Sequence, residues 1–189
     1  MLSERAPSDA ECVIFELILN LTLDHGPDTP SAKATILRAE AGDLMGAAVG
    51  AGIAEINGSH GGAQDALMEI LLRIHSGGAT PSSIVAEHKA AGKRIPGYGH
   101  RIYTVDPRTT QIFDALRTHH MGEDYRASVE SIQKEIEAQL GKDLPINVDS
   151  AIAVALLSFG WPPSLGSVIF IIARTVGLCA HYSNNQKKV

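Results

Sequence analysis

Strand-forming pattern is what this sequence most plainly lacks. No stretch alternates apolar and polar residues with period two between turn signals, so half-buried strands are not expected. Aromatic residues are scarce at 5%, with a single tryptophan, so a core must be built mainly from aliphatic side chains. Cysteine occurs only as Cys12 and Cys179, with no Cys-x-x-Cys pair, which removes a disulfide framework and implies no metal. Both thiols fall in apolar helical patterns, where buried free cysteines in a reducing cytosol are expected. There is no basic excess: 16 Lys and Arg against 21 Asp and Glu give a net charge of -5, which speaks against a nucleic-acid surface. The N-terminus carries no apolar run of signal-peptide length. Residues 165–180 are very apolar, but Arg174 interrupts them short of the ~18 uninterrupted residues of a membrane span, so a buried helix is expected.

What is present is a 189-residue chain with 44% apolar and 20% charged residues, enough for one sizeable core or two small lobes. Helix signals are abundant. Ser8-Asp9-Ala10-Glu11 reads as a capping box, and Cys12, Val13, Leu17, Ile18 and Leu21 follow at helical spacing, predicting a helix over about 9–24. Pro30 opens a second over about 31–40, and Asp43 is the expected cap of a third over about 44–56. Further helices are expected at about 62–75, from Thr80-Pro81 to Gly92, at about 107–120 and 123–140, from Asn147 to Gly160, and at about 163–182. The fold class is therefore all-α with short Gly/Pro connections.

The third helix lacks bulk, because Gly46, Ala47, Ala48, Gly50, Ala51, Gly52 and Ala54 dominate it. A glycine inside a helix costs about 1 kcal/mol relative to alanine, so close approach of another helix is the expected return.

The most polar, irregular and basic stretch runs from Lys93 to Arg108: Lys-Arg-Ile-Pro-Gly-Tyr-Gly-His-Arg-Ile-Tyr-Thr-Val-Asp-Pro-Arg. Its paired glycines permit sharp turns or close approach to a ligand, and Asp106-Pro107 starts a helix with Arg108 in its first turn. The cluster suits a small anion better than a polyanion. A dinucleotide-binding reading of Gly97-Tyr98-Gly99 is weak, since no strand precedes the glycines and no third glycine follows.

Together with Leu23-Asp24-His25-Gly26-Pro27, Asn57-Gly58-Ser59-His60-Gly61-Gly62-Ala63, Pro145-Ile146-Asn147-Val148-Asp149 and Ala173-Arg174-Thr175-Val176-Gly177, this stretch resembles the citrate synthase superfamily. Citryl-CoA lyases and the C-terminal part of ATP-citrate lyase are members. The resemblance implies a citrate synthase-like helical fold with a large lobe, residues 1–61 plus 161–189 and apparently shortened, and a small lobe, residues 62–160. It also implies a homodimer through the Gly/Ala-rich helix. The chain is either a compact variant or a fragment.

The same resemblance assigns roles. Asp149 is the expected catalytic carboxylate at the α-carbon of the thioester, His60 the group that holds the thioester or enolate oxygen, and His100 the acid or base on the oxygen of the oxaloacetate-derived carbon. His25, Arg101, Arg108 and Arg174 are expected to bind substrate carboxylates, which suits arginine's planar fork. Coenzyme A is expected along Arg94, Ile95, Pro96, Gly97, Tyr98 and Gly99. Read without the resemblance, Asp149 is first a helix N-cap, and Arg174 is a buried charge in need of an acidic partner or a substrate carboxylate. The tail offers only Lys187 and Lys188 where the family often places an arginine that reaches the neighbouring subunit. Asp24-His25-Gly26-Pro27 with Ser31-Ala32 looks like the lyase branch, whereas His60 is the synthase-like choice. The expected activity is cleavage of citryl-CoA to acetyl-CoA and oxaloacetate, a carbon–carbon step shared with the tricarboxylic acid cycle enzyme citrate synthase. The alternatives are condensation with thioester hydrolysis, or a non-catalytic module that binds CoA esters or scaffolds a complex.

Overall fold

The computed structural model describes residues 5–57, 60–100 and 102–186. Within them the chain forms α1 (Asp9–Thr22), α2 (Pro30–Ala41), α3 (Met45–Ala54), α4 (Ala63–His75), α5 (Pro81–Ala90), α6 (Pro107–Thr118), α7 (Glu123–Leu140), α8 (Val148–Ser158) and α9 (Gly166–Asn185). A single 3-10 turn, Pro163–Leu165, leads into α9. No strand occurs among the described residues, only isolated bridges, so the fold is all-α as the missing period-two pattern required.

Caps set most boundaries. The Ser8 hydroxyl accepts from the Glu11 amide at 3.3 Å while the Glu11 carboxylate accepts from the Ser8 amide at 2.7 Å, completing the predicted box. Glu11 also pairs with Arg5, and that hydrogen bond holds its carboxyl down at about 2. The buried stripe of α1 is Glu11, Ile14, Ile18 and Thr22, spaced by three, four and four residues along one helix face. The expected stripe through Cys12 and Val13 is therefore corrected: Cys12 is exposed and Val13 is 53% exposed, because they lie roughly 100° or more around the helix from that face. Asp43 does not cap α3 either. Leu44 occupies the cap position with no side-chain bond, while the Asp43 carboxylate pairs with Arg38 at 2.7 Å at the end of α2.

At the centre lies α8, whose residues Val148 and Ser150 to Leu157 are all buried. Helices α4, α6, α7 and α9 pack around it. One apolar cluster joins α1, α4, α8 and the start of α9 through Ile14, Ile18, Leu67, Leu71, Ile152, Leu156 and Ile169. Fully burying each such side chain contributes about 1.5–3 kcal/mol. A second, smaller cluster of Ala32, Val49 and Leu178 joins α2, α3 and the far half of α9.

The close approach inferred for α3 is real at Gly52, where an added Cβ would sit 2.1 Å from the Thr35 hydroxyl and 2.7 Å from the Ser31 carbonyl. Gly46 and Gly50 instead face open space within this chain. Residues 163–185, which contain an 18-residue window of mean hydropathy 1.6, are long and apolar enough to cross a membrane by length and composition alone. One face of this segment packs against α1, α2, α3 and α4 and buries Arg174 to 1% exposure, while Ile172 and Val176 on its other face are exposed.

Candidate active site

The site begins with how α8 starts. Asn147, not Asp149, is the N-cap: its side-chain oxygen accepts from the Asp149 amide at 3.0 Å. The same residue reaches back to the central loop, its amide donating to the Gly97 carbonyl and its Nδ2 to the Gly99 carbonyl, both at 3.0 Å. Gly99 in turn donates to the Pro145 carbonyl at 2.8 Å. With capping done by its neighbour, the Asp149 carboxyl is released to the site. It is only partly exposed, and desolvation pushes it up to about 6. The charges of Arg108 and Arg174 pull it down, and those of Asp106 and Asp65 push it up.

The central loop turns on Gly97 at φ +86°, where a Cβ would sit 2.3 Å from the Ser150 hydroxyl and 2.6 Å from Leu67. That hydroxyl donates to the Gly97 carbonyl at 2.7 Å, so the loop lies directly on α8. Ile95 and Tyr98 point inward, and the Tyr98 hydroxyl donates to the Val129 carbonyl at 2.8 Å. Of the stretch expected to meet coenzyme A, the Arg94 side chain is exposed, Pro96 is half-buried, and the side chains of Ile95 and Tyr98 serve the core.

His100 leaves this loop with its Nδ1 accepting two backbone amides, those of Ile102 and Tyr103, each at 3.1 Å. A nitrogen that accepts two donors carries no hydrogen, so the neutral ring holds its proton on Nε2. Burial lowers the ring's pKa, with Asp106 opposing and Arg108 adding to the effect. The Tyr103 ring lies over it with centroids 4.6 Å apart, and the His25 ring meets it edge-on at 5.6 Å. His25 is likewise lowered by desolvation, then by Arg108, His100 and Arg174.

Arg108 lies between these groups, its Nη2 3.4 Å from His100 Nε2. Asp106 grips it side-on: Nε donates to Oδ1 at 3.0 Å and Nη2 to Oδ2 at 2.8 Å. Asp106 itself is wholly buried and also accepts the Val148 amide at 3.0 Å. Burial pushes its carboxyl up, but the hydrogen bond and charge of Arg108, with the two amides, hold it net below the ordinary value.

Arg174 is 1% exposed. Its Nε donates to the Thr22 carbonyl at 3.2 Å, its guanidinium lies 4.6 Å over the Phe170 ring, and its Nη1 is buried without a hydrogen-bond partner. Among the described residues no carboxylate lies within salt-bridge distance of it. Desolvation lowers its pKa, with the Asp24 charge opposing first. The acidic partner that a purely structural arginine would need is thus absent there, and a cation is left with an unsatisfied donor inside the protein.

His60 joins from another direction. Its Nε2 lies 2.9 Å from the Ser31 hydroxyl, and its ring meets the edge of Phe170, the same ring that underlies Arg174. Paired backbone bonds between Asn57 and His60, at 2.8 and 2.9 Å, close the turn that carries it. Arg108 thus acts through its charge on His25, His100, Asp149 and Arg174, and His60 shares the Phe170 ring with Arg174. Arg101 lies outside the described residues. Sequence reasoning missed Ser31, which lies wholly buried beside His60, and it read Asp106 only as a cap. The signal for Asp106 was its place in Asp-Pro-Arg, where a first-turn arginine lies within reach of the capping carboxylate.

Comparison with known proteins decides the family, because the model of the citrate synthase C-terminal domain matches residues 1–189, the whole chain. The chain belongs to the citrate synthase family. The citrate/2-methylcitrate synthase of Bacillus subtilis is 32% identical over 200 residues, covering 98% of this chain and 52% of that protein. This citrate synthase-family chain thus spans about half the length of that relative. Citryl-CoA lyase from Hydrogenobacter thermophilus shares its fold with a TM-score of 0.89 and 34% identity, over 97% of this chain and 72% of that one. An ATP citrate lyase from Methanosaeta concilii, solved with (3S)-citryl-CoA, superposes with a TM-score of 0.85 at 22% identity, over 96% of this chain and 32% of that one. The helical architecture is therefore that of citrate synthase-like proteins.

Proposed function

We propose that this chain carries the carbon–carbon chemistry of a citryl-CoA lyase, cleaving citryl-CoA to acetyl-CoA and oxaloacetate. The observation that supports the reading most is the Asp149 carboxyl, freed from capping and raised to about 6 beside two guanidiniums. Proton transfer at carbon near neutral pH favours a group poised in this range.

In cleavage, the hydroxyl proton of the citryl group passes to His100, the alkoxide collapses to the ketone of oxaloacetate, and the carbon–carbon bond breaks. Its electron pair becomes the enolate of acetyl-CoA, which His60 holds at oxygen and the Asp149 carboxyl protonates at carbon. His100 must accept the proton at Nε2, the nitrogen whose partner Nδ1 faces two amides. The resting Nε2–H form suits the reverse step, donation to the ketone. For cleavage the ring takes its other neutral tautomer, with the Ile102 and Tyr103 amides turned away from a protonated Nδ1, and the hydroxyl proton received at Nε2 makes it an imidazolium. Arg174, with its unpaired Nη1, and Arg108 take the substrate carboxylates, with His25 and Arg101 as further carboxylate-binding groups. The CoA portion lies along residues 94–99, with the exposed Lys93 and Arg94 toward its phosphates. In this reading residues 62–160 act as the small lobe, residues 1–61 plus 161–189 belong to the large lobe, the protein is a cytoplasmic homodimer, and no metal takes part.

The second reading, citrate synthase, is favoured by the 32% identity to the Bacillus enzyme. Incubation with citryl-CoA distinguishes the readings. Acetyl-CoA and oxaloacetate are the expected products; citrate with free CoA makes the protein a synthase, and no turnover by the assembled protein leaves a CoA-ester-binding module.

A further inference from the structure

We propose that Asp106 is a positioning residue that holds Arg108 away from Asp149 and so preserves Asp149 as a proton-transfer group. The inference rests on the role given above to Asp149.

A helix cap needs only one amide accepted by a side-chain oxygen, and that duty leaves the cap free to stay in solvent. Asp106 does more. It is fully buried, and its two oxygens take four donors: the Arg108 amide at 3.1 Å, Nε at 3.0 Å, Nη2 at 2.8 Å, and the Val148 amide at 3.0 Å. Val148 is the residue immediately before Asp149. One carboxylate therefore anchors both the guanidinium and the first turn of α8, which fixes the separation of Arg108 from Asp149.

That separation matters because Arg108 is only 14% exposed and has few places to go. Around Asp149 stand Arg108 from α6, Asp106 at its cap, Arg174 from α9 and Asp65 from α4. A guanidinium pairs best with a carboxylate through both nitrogens of its fork. With its Nε–Nη2 edge held by Asp106, Arg108 makes no hydrogen bond to Asp149 and acts on it through its charge. Released, it pairs with Asp149, holds it as a carboxylate, and takes away the proton it must give to the enolate.

The test is a double-mutant cycle read by carbon-13 NMR titration of the Asp149 carboxyl in the full chain, which requires no turnover. In Asp106→Asn the pKa of Asp149 falls by at least about one unit, a tenfold change in its proton affinity. Part of any fall comes simply from losing the Asp106 charge. The proposal therefore requires the Asp106→Asn effect to shrink at least severalfold when Arg108 is already Gln. An equal effect with and without Arg108 overturns it. Should Asp106→Asn fail to fold, Arg108→Lys keeps the charge but cannot form the side-on pair, and it must lower the Asp149 pKa; no fall overturns the proposal. In the cleavage assay Asp106→Asn loses kcat about tenfold near pH 7, with a smaller change in KM. If the wild type does not cleave citryl-CoA, the titration still decides the role of Asp106, and only the functional reading fails.

Discussion

At the scale of single residues, the raised Asp149 carboxyl costs the fold stability. The group titrates at about 6 in the folded chain against an ordinary value of 3.8. The folded state therefore binds more protons than the unfolded state between these values, and stability falls as pH rises through this window. Above it the whole cost is present, up to about 3 kcal/mol at 1.36 kcal/mol per unit. Asp149→Asn should accordingly stabilise the protein at pH 7.5 by as much as that, and leave it unchanged near pH 3.5. Thermal melts at the two pH values check this, and equal shifts at both would contradict it. Such a position is hard to identify from sequence. Asp149 follows Asn147 by two residues, either side chain is a good cap, and only the observed bond shows that Asn147 took the role. Arg174 was legible, because an arginine within a run of isoleucine, valine and phenylalanine must be buried or must end the helix.

At the scale of elements, the helices themselves were readable because their ends are marked. Ser8, Thr29, Thr80 and Asn147 each cap a helix through a side-chain oxygen, and Gly42 and Gly141 end helices at positive φ. What failed was the face of α1, where Cys12 competed with the less apolar Glu11 for the inner stripe. Hydrophobicity favoured the cysteine, but Glu11 is held inward by Arg5 and the Ser8 amide. In α3 the glycines divide by role. Gly52→Ala drives a methyl into the Thr35 hydroxyl and the Ser31 carbonyl, and should cost about 1–3 kcal/mol and lower the melting temperature. Gly50 faces open space in one chain, so Gly50→Leu should leave the fold intact and split the proposed homodimer, as light scattering at micromolar concentration will read. A monomeric wild type would count against that interface.

At the scale of the whole molecule, the site draws on the end of α1 through Thr22, on the turn after it through His25, on the loops before α4 and α6, and on the start of α8 and the middle of α9. Short motifs predicted that these places meet, but they could not show Phe170 as the ring shared by His60 and Arg174. The hydrogen-bonded clasp between residues 97–99 and 145–147, two backbone bonds and one from the Asn147 side chain, has a consequence for how the chain can be altered. It ties both ends of the excursion that holds α6 and α7, so this excursion behaves as a closed ring whose outer rim need not be continuous. That rim includes the exposed His120, at φ 53° between the two helices. A protease site inserted after His119 and then cut should leave a nicked protein that elutes as one species and keeps the proposed citryl-CoA cleavage within about twofold of the uncut chain, as expected for exposed turns that tolerate breaks. Separation of the two fragments without denaturant would show that the clasp does not hold. If it holds, His120 is where evolution or an engineer can add a new module to the protein while the chemistry continues undisturbed.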